Sequence, residues 1–536
     1  MARRPGPHQP PNGEPTDGTT SHREEGYTPA PDTLSADDHS ETIVHDARDL
    51  DRATPLARPS VRRMAGAFGQ QLGFRIVGML ASIVMLSITV RHLGGVSYGH
   101  LTAAIMFISL WTSLTELGIG AVIVRRATGA GADLGHLVRL NTGLSLVYCI
   151  PLTALAIGSG VAVYTVEDVP QVVTIIPIIA IGLALTTITS CLNPVFLATV
   201  RFTSVAVSDV LGRVLSLALT LMLVRADADI AAFAVVQLIP PVVVLVVQGF
   251  AASRIIDWRP TFHLGESWDL IKESLPQTGV LIIGVLYWRL DGVLLSVLGS
   301  AESTATYYVA YTFAFTLSVV TTFFMSTTLS TMTRLYAENA EGFASFVKRS
   351  VEAMLFLGAP IAVVGAVLST DIIRAMSSEE LTNRGGFTLA LLFVAVGITF
   401  LNSIASQALF ASHQQVFLLR LNIVNLGINV VLNLIFIPMW GAAGAGVALV
   451  ITELIGLVVT TVRLANFSTY RTPWAFTARL AVPVIAAAGV AELIHVDQVS
   501  LAPAFLGAVI VYLGVNAAIG PVRVSTVRTL LKTGVV

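Results

Sequence analysis

A chain of 536 residues that is 54% hydrophobic and only 12% charged, with a mean hydropathy of +0.77, is not a soluble domain, in which about a quarter of residues are charged. Its two cysteines, Cys149 and Cys191, both lie in apolar runs and read as buried packers, and its ten histidines show no paired ligand spacing, so neither a disulfide framework nor a metal centre is expected. The net charge of −1 leaves the placement of the charges as the informative quantity, and the loop arginines carry no nucleic-acid signal.

Residues 1–62 are polar, rich in Pro, Gly, Thr, Asp, Glu, Arg and His. Such a segment cannot bury enough surface to fold and is expected to be a disordered tail. The opening MARRPGP has no apolar run behind it, so it is not read as a signal peptide. From Phe68 onward, apolar stretches of roughly 20 residues recur, the length that crosses a bilayer core. The hydropathy places about fourteen of them, near 68–90, 98–122, 137–163, 172–194, 203–224, 230–252 and 275–298. The remaining seven fall near 305–332, 350–369, 386–410, 416–437, 441–463, 474–493 and 499–519. The fold class expected is therefore an all-α polytopic membrane protein.

Alternate loops differ in charge. One set, with the C-terminal tail, holds 17 basic residues, among them Arg125, Arg126, Arg139, Arg201, Arg254, Arg259, Lys272, Arg523, Arg528 and Lys532. The other holds four, Arg91, Arg225, Arg374 and Arg384, and carries Glu167, Asp168, Asp227, Asp229, Glu302, Asp371, Glu379, Glu380 and Asp497 instead. Basic loops collect on the cytoplasmic side, so both termini are expected there. The scarcity of lysine beside arginine fits a GC-rich bacterial genome, and the bacterial plasma membrane is the expected location.

An internal repeat accompanies the spans. RHLGGVSYGHLTAA (91–104) follows the first, and SVLGSAESTATYYVAYT (296–312) ends the seventh and opens the eighth. Both have Leu-Gly closing one helix, a short polar loop, then Tyr and small residues opening the next. Such symmetry is typical of transporters that rock one half against the other. The expected organisation is an N-lobe over 64–253, a linker over 254–267 and a C-lobe over 268–536.

Charges within spans are costly, at least about 2.5–3.5 kcal/mol on insertion scales, and mark function or pairing. Asp209 and Arg213 stand four apart and can pair on one helix face, a packing role at least as natural as a functional one. Glu116, in TELGIG, serves either as a cap or in a cavity. Arg75 and Arg289 have no acid at i±3 or i±4. At the helical rise they lie about 10 Å and about 20 Å into their helices. Both are expected to face a water-filled cavity, where a planar guanidinium fork suits phosphate oxygens. The alternative for Arg289 is an interhelical pair with Glu116 or Glu453. Asp291, two residues on in VLYWRLDGVLLSVLG, points to the opposite side of the helix. It is read as an interlobe salt-bridge partner or a protonatable coupling group, with Glu116 and Glu453 as further candidates for that role.

In span eleven, Asn422, Asn425, Asn429 and Asn433 step by three, four and four, forming one polar stripe. Amides in lipid must be satisfied, so this seam faces another helix or the cavity. Asn402 and Gln407 of span ten extend it. No loop is long enough to hold a soluble catalytic domain, no GxxxxGK[ST] phosphate loop is present, and no nucleophile–base constellation occurs. An enzyme is not expected, nor a cofactor.

Four segments carry a resemblance: RHLGGVSYGHLTAA, TELGIGAVIVRRAT, WRLDGVLLSVLGSAESTATYYVAYTF and NVVLNLIFIPMWGAAGAGVALVITE. Over about 64–520 the chain resembles the polysaccharide-exporter branch of the multidrug/oligosaccharidyl-lipid/polysaccharide flippase superfamily, the Wzx-type repeat-unit flippases. The resemblance implies two pseudo-symmetric lobes around a cationic cavity and alternating access. It implies a polyprenyl-diphosphate-linked oligosaccharide as substrate, an ion gradient or membrane potential as drive, and polysaccharide polymerases or glycosyltransferases as candidate partners. Cavity arginines hold the diphosphate in such flippases, and Arg75 and Arg289 match that role here. Two relatives compete: a lipid II flippase of the MurJ type, whose richer arginine set in the first spans is not seen, and a multidrug extrusion transporter, for which Asp291 and Glu453 would have to serve as cation sites. A membrane glycosyltransferase would need a larger outer loop than the one near 370–385, and a non-transporting scaffold of the same fold is the remaining reading.

Overall fold

The computed structural model describes residues 61–127, 133–199, 203–377, 379–496 and 501–522. The tail expected to be disordered lies outside them except for its last two residues, which are helical. Arg201, Asp497, Arg523, Arg528 and Lys532 also fall outside, as do the side chains of Glu379 and Glu380. The chain divides into a unit over residues 1–64 and a unit over Ala65–Val536, and the second holds everything that follows.

All regular structure among the described residues is helical, as a bilayer requires when the backbone must satisfy its own hydrogen bonds. Thirteen stretches are long and apolar enough to cross a membrane. The first, Gly73–Ala127, is two spans rather than one, because the backbone breaks at Gly94 (φ 75°, ψ 170°). That conformation is costly for a residue with a Cβ. With this division the fourteen expected spans are all present.

Spans three to seven are Leu134–Val166, Pro170–Thr199, Thr203–Arg225, Ile230–Ser253 and Leu264–Leu298. Spans eight to eleven are Ala301–Glu338, Ala340–Val367, Arg384–Ala411 and Gln415–Trp440. Spans twelve to fourteen are Ala442–Phe467, Trp474–Ile494 and Leu501–Ile519. Polar residues set several of the starts. The side chains of Asp133, Asp229, Ser300 and Asn339 accept hydrogen bonds from the backbone N–H of Gly135, Ala232, Ser303 and Gly342, satisfying donors that the first turn leaves free. Span seven begins eleven residues before the apolar run, at Leu264. Its first turns, LGESWDLIKES, alternate polar and apolar groups and continue the helix beyond the lipid-matched segment, so the linker is shorter than 254–267.

The helices pack as two lobes. Spans three, four, five and six pack against one another, and spans nine to fourteen form a second assembly around span ten. Span seven packs on spans eight and eleven and also reaches the ends of spans two and three. Loops after odd-numbered spans are termed the acidic-loop face below, and those after even-numbered spans the basic-loop face.

The two repeat segments meet. A Cβ on Gly99 would sit 1.9 Å from the carbonyl oxygen of Ala301, so only glycine allows the start of span two to touch the start of span eight. Nearby, Tyr98 and Tyr308 meet edge to face with centroids 6.3 Å apart, the Tyr164 hydroxyl lies 2.6 Å from Ser296 Oγ, and Arg91 donates to the carbonyl of Ala375. On the basic-loop face, Arg125 and Arg126 both pair with Glu273 of span seven, and His136 lies 2.8 Å from Glu266.

Candidate functional site

A cavity of about 580 Å³ lies between spans one, five and six on one side and spans seven and eight on the other. Among the described residues its wall holds three guanidiniums, Arg75, Arg213 and Arg289, and one carboxylate, Asp209, an excess of two positive charges. Arg213 and Asp209 form the pair that their spacing predicts, with Arg213 Nε 3.0 Å from both carboxylate oxygens. Arg213 also reaches across to span one, donating to Ser82 Oγ at 2.7 Å. This pair therefore both ties two helices together and forms part of the wall.

Arg75 and Arg289 differ from it. Both are exposed to the cavity, and among the described residues neither has an ion-pair partner. The alternative pairing of Arg289 with Glu116 or Glu453 is not what the structure shows: its guanidinium lies 6.0 Å from the ring centroid of Tyr311. Glu116 is exposed, is not part of the cavity wall, and accepts a hydrogen bond from Asn193 Nδ2 at 2.5 Å.

The opposite wall is aromatic. Tyr308, Tyr311 and Phe315 step by three and four along span eight and line the cavity. The rings of Tyr311 and Phe315 stack at 4.4 Å, and Trp288 meets Phe315 edge-on at 5.4 Å. Such rings offer flat apolar faces beside cations. Gln248, 3% exposed, donates to Ser208 at 3.1 Å while its Oε1 has no partner among the described residues. Hydropathy and the placement of charges did not point to this wall or to Gln248; the three-four spacing of aromatics in TYYVAYTFAF was the available signal.

Asp291 lies on the far side of span seven, 2% exposed. Its partners are not cations. Asn433 Nδ2 donates to one oxygen at 3.0 Å and the Tyr307 hydroxyl approaches the other at 3.4 Å. Both come from spans eleven and eight, so among the described residues Asp291 makes no salt bridge between lobes. Glu453, 1% exposed, accepts from Tyr287 at 2.8 Å and from Asn402 at 3.3 Å. It too is buried with no cationic partner among the described residues.

The asparagine stripe touches Asp291 through Asn433 and reaches the Thr452 carbonyl, next in the chain to Glu453, through Asn425. Asn425, Asn429 and Asn433 are buried, whereas Asn422 is exposed, so the seam has three members rather than four. Asn433 donates to the side chain and the carbonyl of Asn429, and Asn425 donates to the carbonyl of Thr452 at 3.3 Å. Asn425 Oδ1 and Asn433 Oδ1 have no partner among the described residues. Asn402 extends the seam to Thr460. Gln407 is separate, bonded to Thr328 and to the carbonyl of Met325 on span eight. Among the described residues no three His, Cys, Asp or Glu side chains converge on a metal position.

Residues 88–383 match the family described as polysaccharide biosynthesis protein. No curated protein sequence matches the chain. Among solved structures, the chain is similar to one titled as the lipid II flippase MurJ in an inward closed conformation, with a TM-score of 0.67 at 13% identity, over 83% of this chain and 97% of that one. It is also similar to a multidrug resistance MATE family transporter of the MOP superfamily, inward-facing, with a TM-score of 0.63 at 14% identity, over 74% and 98% of the two chains. An outward-facing form of such a transporter gives a TM-score of 0.53 at 15% identity, over 74% and 95%. At these identities the likeness shows the fold: two pseudo-symmetric lobes around a central cavity.

Proposed function

The chain belongs to the polysaccharide biosynthesis protein family, and from that premise we propose that it is a flippase. It turns a polyprenyl-diphosphate-linked oligosaccharide from the inner to the outer leaflet of the bacterial plasma membrane by alternating access. The observation that carries this reading is the pair Arg75 and Arg289, two exposed guanidiniums in one cavity with no counter-ion among the described residues.

An unpaired cation in a membrane interior is retained where a ligand completes it. A diphosphate offers the oxygen geometry that guanidinium forks bind in parallel pairs. Arg75 belongs to the first lobe and Arg289 to the second, so one diphosphate held by both ties ligand occupancy to the approach of the lobes. Tyr308, Tyr311 and Phe315 provide packing faces for sugar rings beside the charged end. An organic cation suits this wall poorly, because its only carboxylate among the described residues, Asp209, is already paired with Arg213. A lipid II carrier presents the same diphosphate, so it competes with a repeat-unit glycolipid on sugar identity rather than on charge.

Asp291 and Glu453 serve as the coupling groups. Each is a buried carboxylate without a cationic partner among the described residues, and Asn433, which donates to Asp291, keeps an amide oxygen with no partner among them, an oxygen ligand beside Asp291 for a proton or a hard monovalent cation. The basic loops face the cytoplasm, with both termini on that side.

Proteoliposomes loaded with a fluorescent polyprenyl-diphosphate oligosaccharide test the proposal. Wild-type protein flips the lipid, Arg289→Ala abolishes flipping, and Arg289→Lys restores part of it. No flipping of any diphosphate-linked glycolipid, together with uptake of organic cations, overturns the reading in favour of drug extrusion.

A further inference from the structure

A second cavity, of about 720 Å³, opens at the acidic-loop ends of spans eight, ten, eleven and twelve. Its wall includes Glu302, Ser303, Thr306, Arg384, Phe387 and Trp440. It is separate from the cavity that holds Arg75 and Arg289, and no described residue lines both. Its size lies within the range of small-molecule sites.

The chemistry of the wall is specific in kind. Trp440 is 52% exposed, and its indole stacks on Phe436 with centroids 5.1 Å apart. One ring face is thus held by the protein while the residue still lines the cavity. Phe387, 62% exposed, adds a second aromatic surface. The carboxylate of Glu302 and the guanidinium of Arg384 make no ion pair and no side-chain hydrogen bond among the described residues. A phosphate would meet Arg384 favourably but Glu302 unfavourably, and an ammonium group would meet the reverse. A neutral polyhydroxylated ligand uses both, since its hydroxyls donate to the carboxylate and accept from the guanidinium, while the C–H face of a pyranose ring packs on an indole.

We infer that this cavity is a glycan-binding site on the acidic-loop face, which takes the sugar portion of an oligosaccharide once it has crossed. The inference rests on the proposed transport of a lipid-linked glycan and adds a site on the product side. Binding there draws the sugar away from the central cavity without any contact to the diphosphate.

Saturation-transfer NMR on the full chain in phosphatidylcholine nanodiscs, with mannotriose, maltotriose and chitotriose as probes, tests the site. At least one trisaccharide receives transfer on its ring protons. Trp440→Ala, Glu302→Gln and Arg384→Ala each weaken the signal at least fivefold, whereas Trp268→Ala, an exposed indole at the opposite end of the molecule, leaves it unchanged. No transfer to any of the three, or transfer that survives all three substitutions, overturns the inference. So does retention of phosphatidylglycerol that Arg384→Ala releases while no trisaccharide binds, which would make the site an anionic headgroup pocket. Flipping of the diphosphate glycolipid by the same preparation, lost in Arg289→Ala, shows that the transport reading stands even where the glycan site fails.

Discussion

Arg289 and Asp291 are two residues apart on one helix, yet the protein treats their charges in opposite ways. On one side of span seven, Arg289 reaches a cavity beside Arg75 and an aromatic wall, with no counter-ion among the described residues. On the other, Asp291 is enclosed by amide and phenol groups from spans eight and eleven. The first region keeps its charge accessible and unsatisfied, so an incoming anion gains its full interaction. The second satisfies its charge in part, with neutral donors, which leaves it able to accept a proton or a cation. Location in the membrane does not separate these roles; exposure and the chemistry of the partners do.

The strongest way to break this contrast is to remove the accessible charge. Arg289→Ala is expected to lower flipping by more than about a hundredfold, to the edge of detection, because a charge-assisted contact of about 1.5–3 kcal/mol is lost at each of two parallel bonds; Arg75→Ala should act in the same direction, and unchanged flipping in either would show that the cavity arginines do not touch substrate. Detergent thermal stability in these variants should match the wild type, since among the described residues neither side chain forms an ion pair.

The buried side should respond in the opposite pattern. Asp291→Leu removes one acceptor of the Asn433 amide and the acceptor of the buried Tyr307 hydroxyl and is expected to destabilise the fold by about 2–3 kcal/mol, read as a lowered melting temperature. Asp291→Asn keeps the shape and should fold normally, but flatten the dependence of transport on pH. Wild-type pH dependence in that variant would remove Asp291 from coupling.

A smaller effect separates the seam from its exposed neighbour. Asn425→Ala loses a buried contact to the Thr452 carbonyl and should cost about 1 kcal/mol, whereas Asn422→Ala should be neutral to within about 0.5 kcal/mol. Equal effects would mean that the stripe works as a unit of four. Smallest of all is Glu273→Gln at the basic-loop face, where half-exposed ion pairs contribute about 0–1 kcal/mol; its melting temperature should barely move, and a large drop would show that these pairs hold the lobes together.

Much of this was legible in the chain. Apolar runs of fixed length gave fourteen spans, and the structure contains them with ends shifted by a few residues, the largest shift being the polar extension of span seven to Leu264. The opposite directions of Arg289 and Asp291 follow from 100° per residue, and the Asp209–Arg213 pair from its spacing of four. Periodicity could not tell that Asn422 stands outside the seam, because a stripe on one helix does not say where the neighbouring helix ends. Nor could it foretell that Arg213 would also bond Ser82, or that Glu116 would meet Asn193.

The sequence by itself determined the number, length and order of the helices, because a bilayer of fixed thickness and a backbone that must satisfy its own hydrogen bonds leave little else for such runs to do. It also determined which side of each helix a charge occupies. Only the tertiary structure decided which charges found partners. Pairing depends on distances between segments far apart in the chain, such as Asn433 to Asp291 across 142 positions or Tyr287 to Glu453 across 166, and helical periodicity carries no record of those distances.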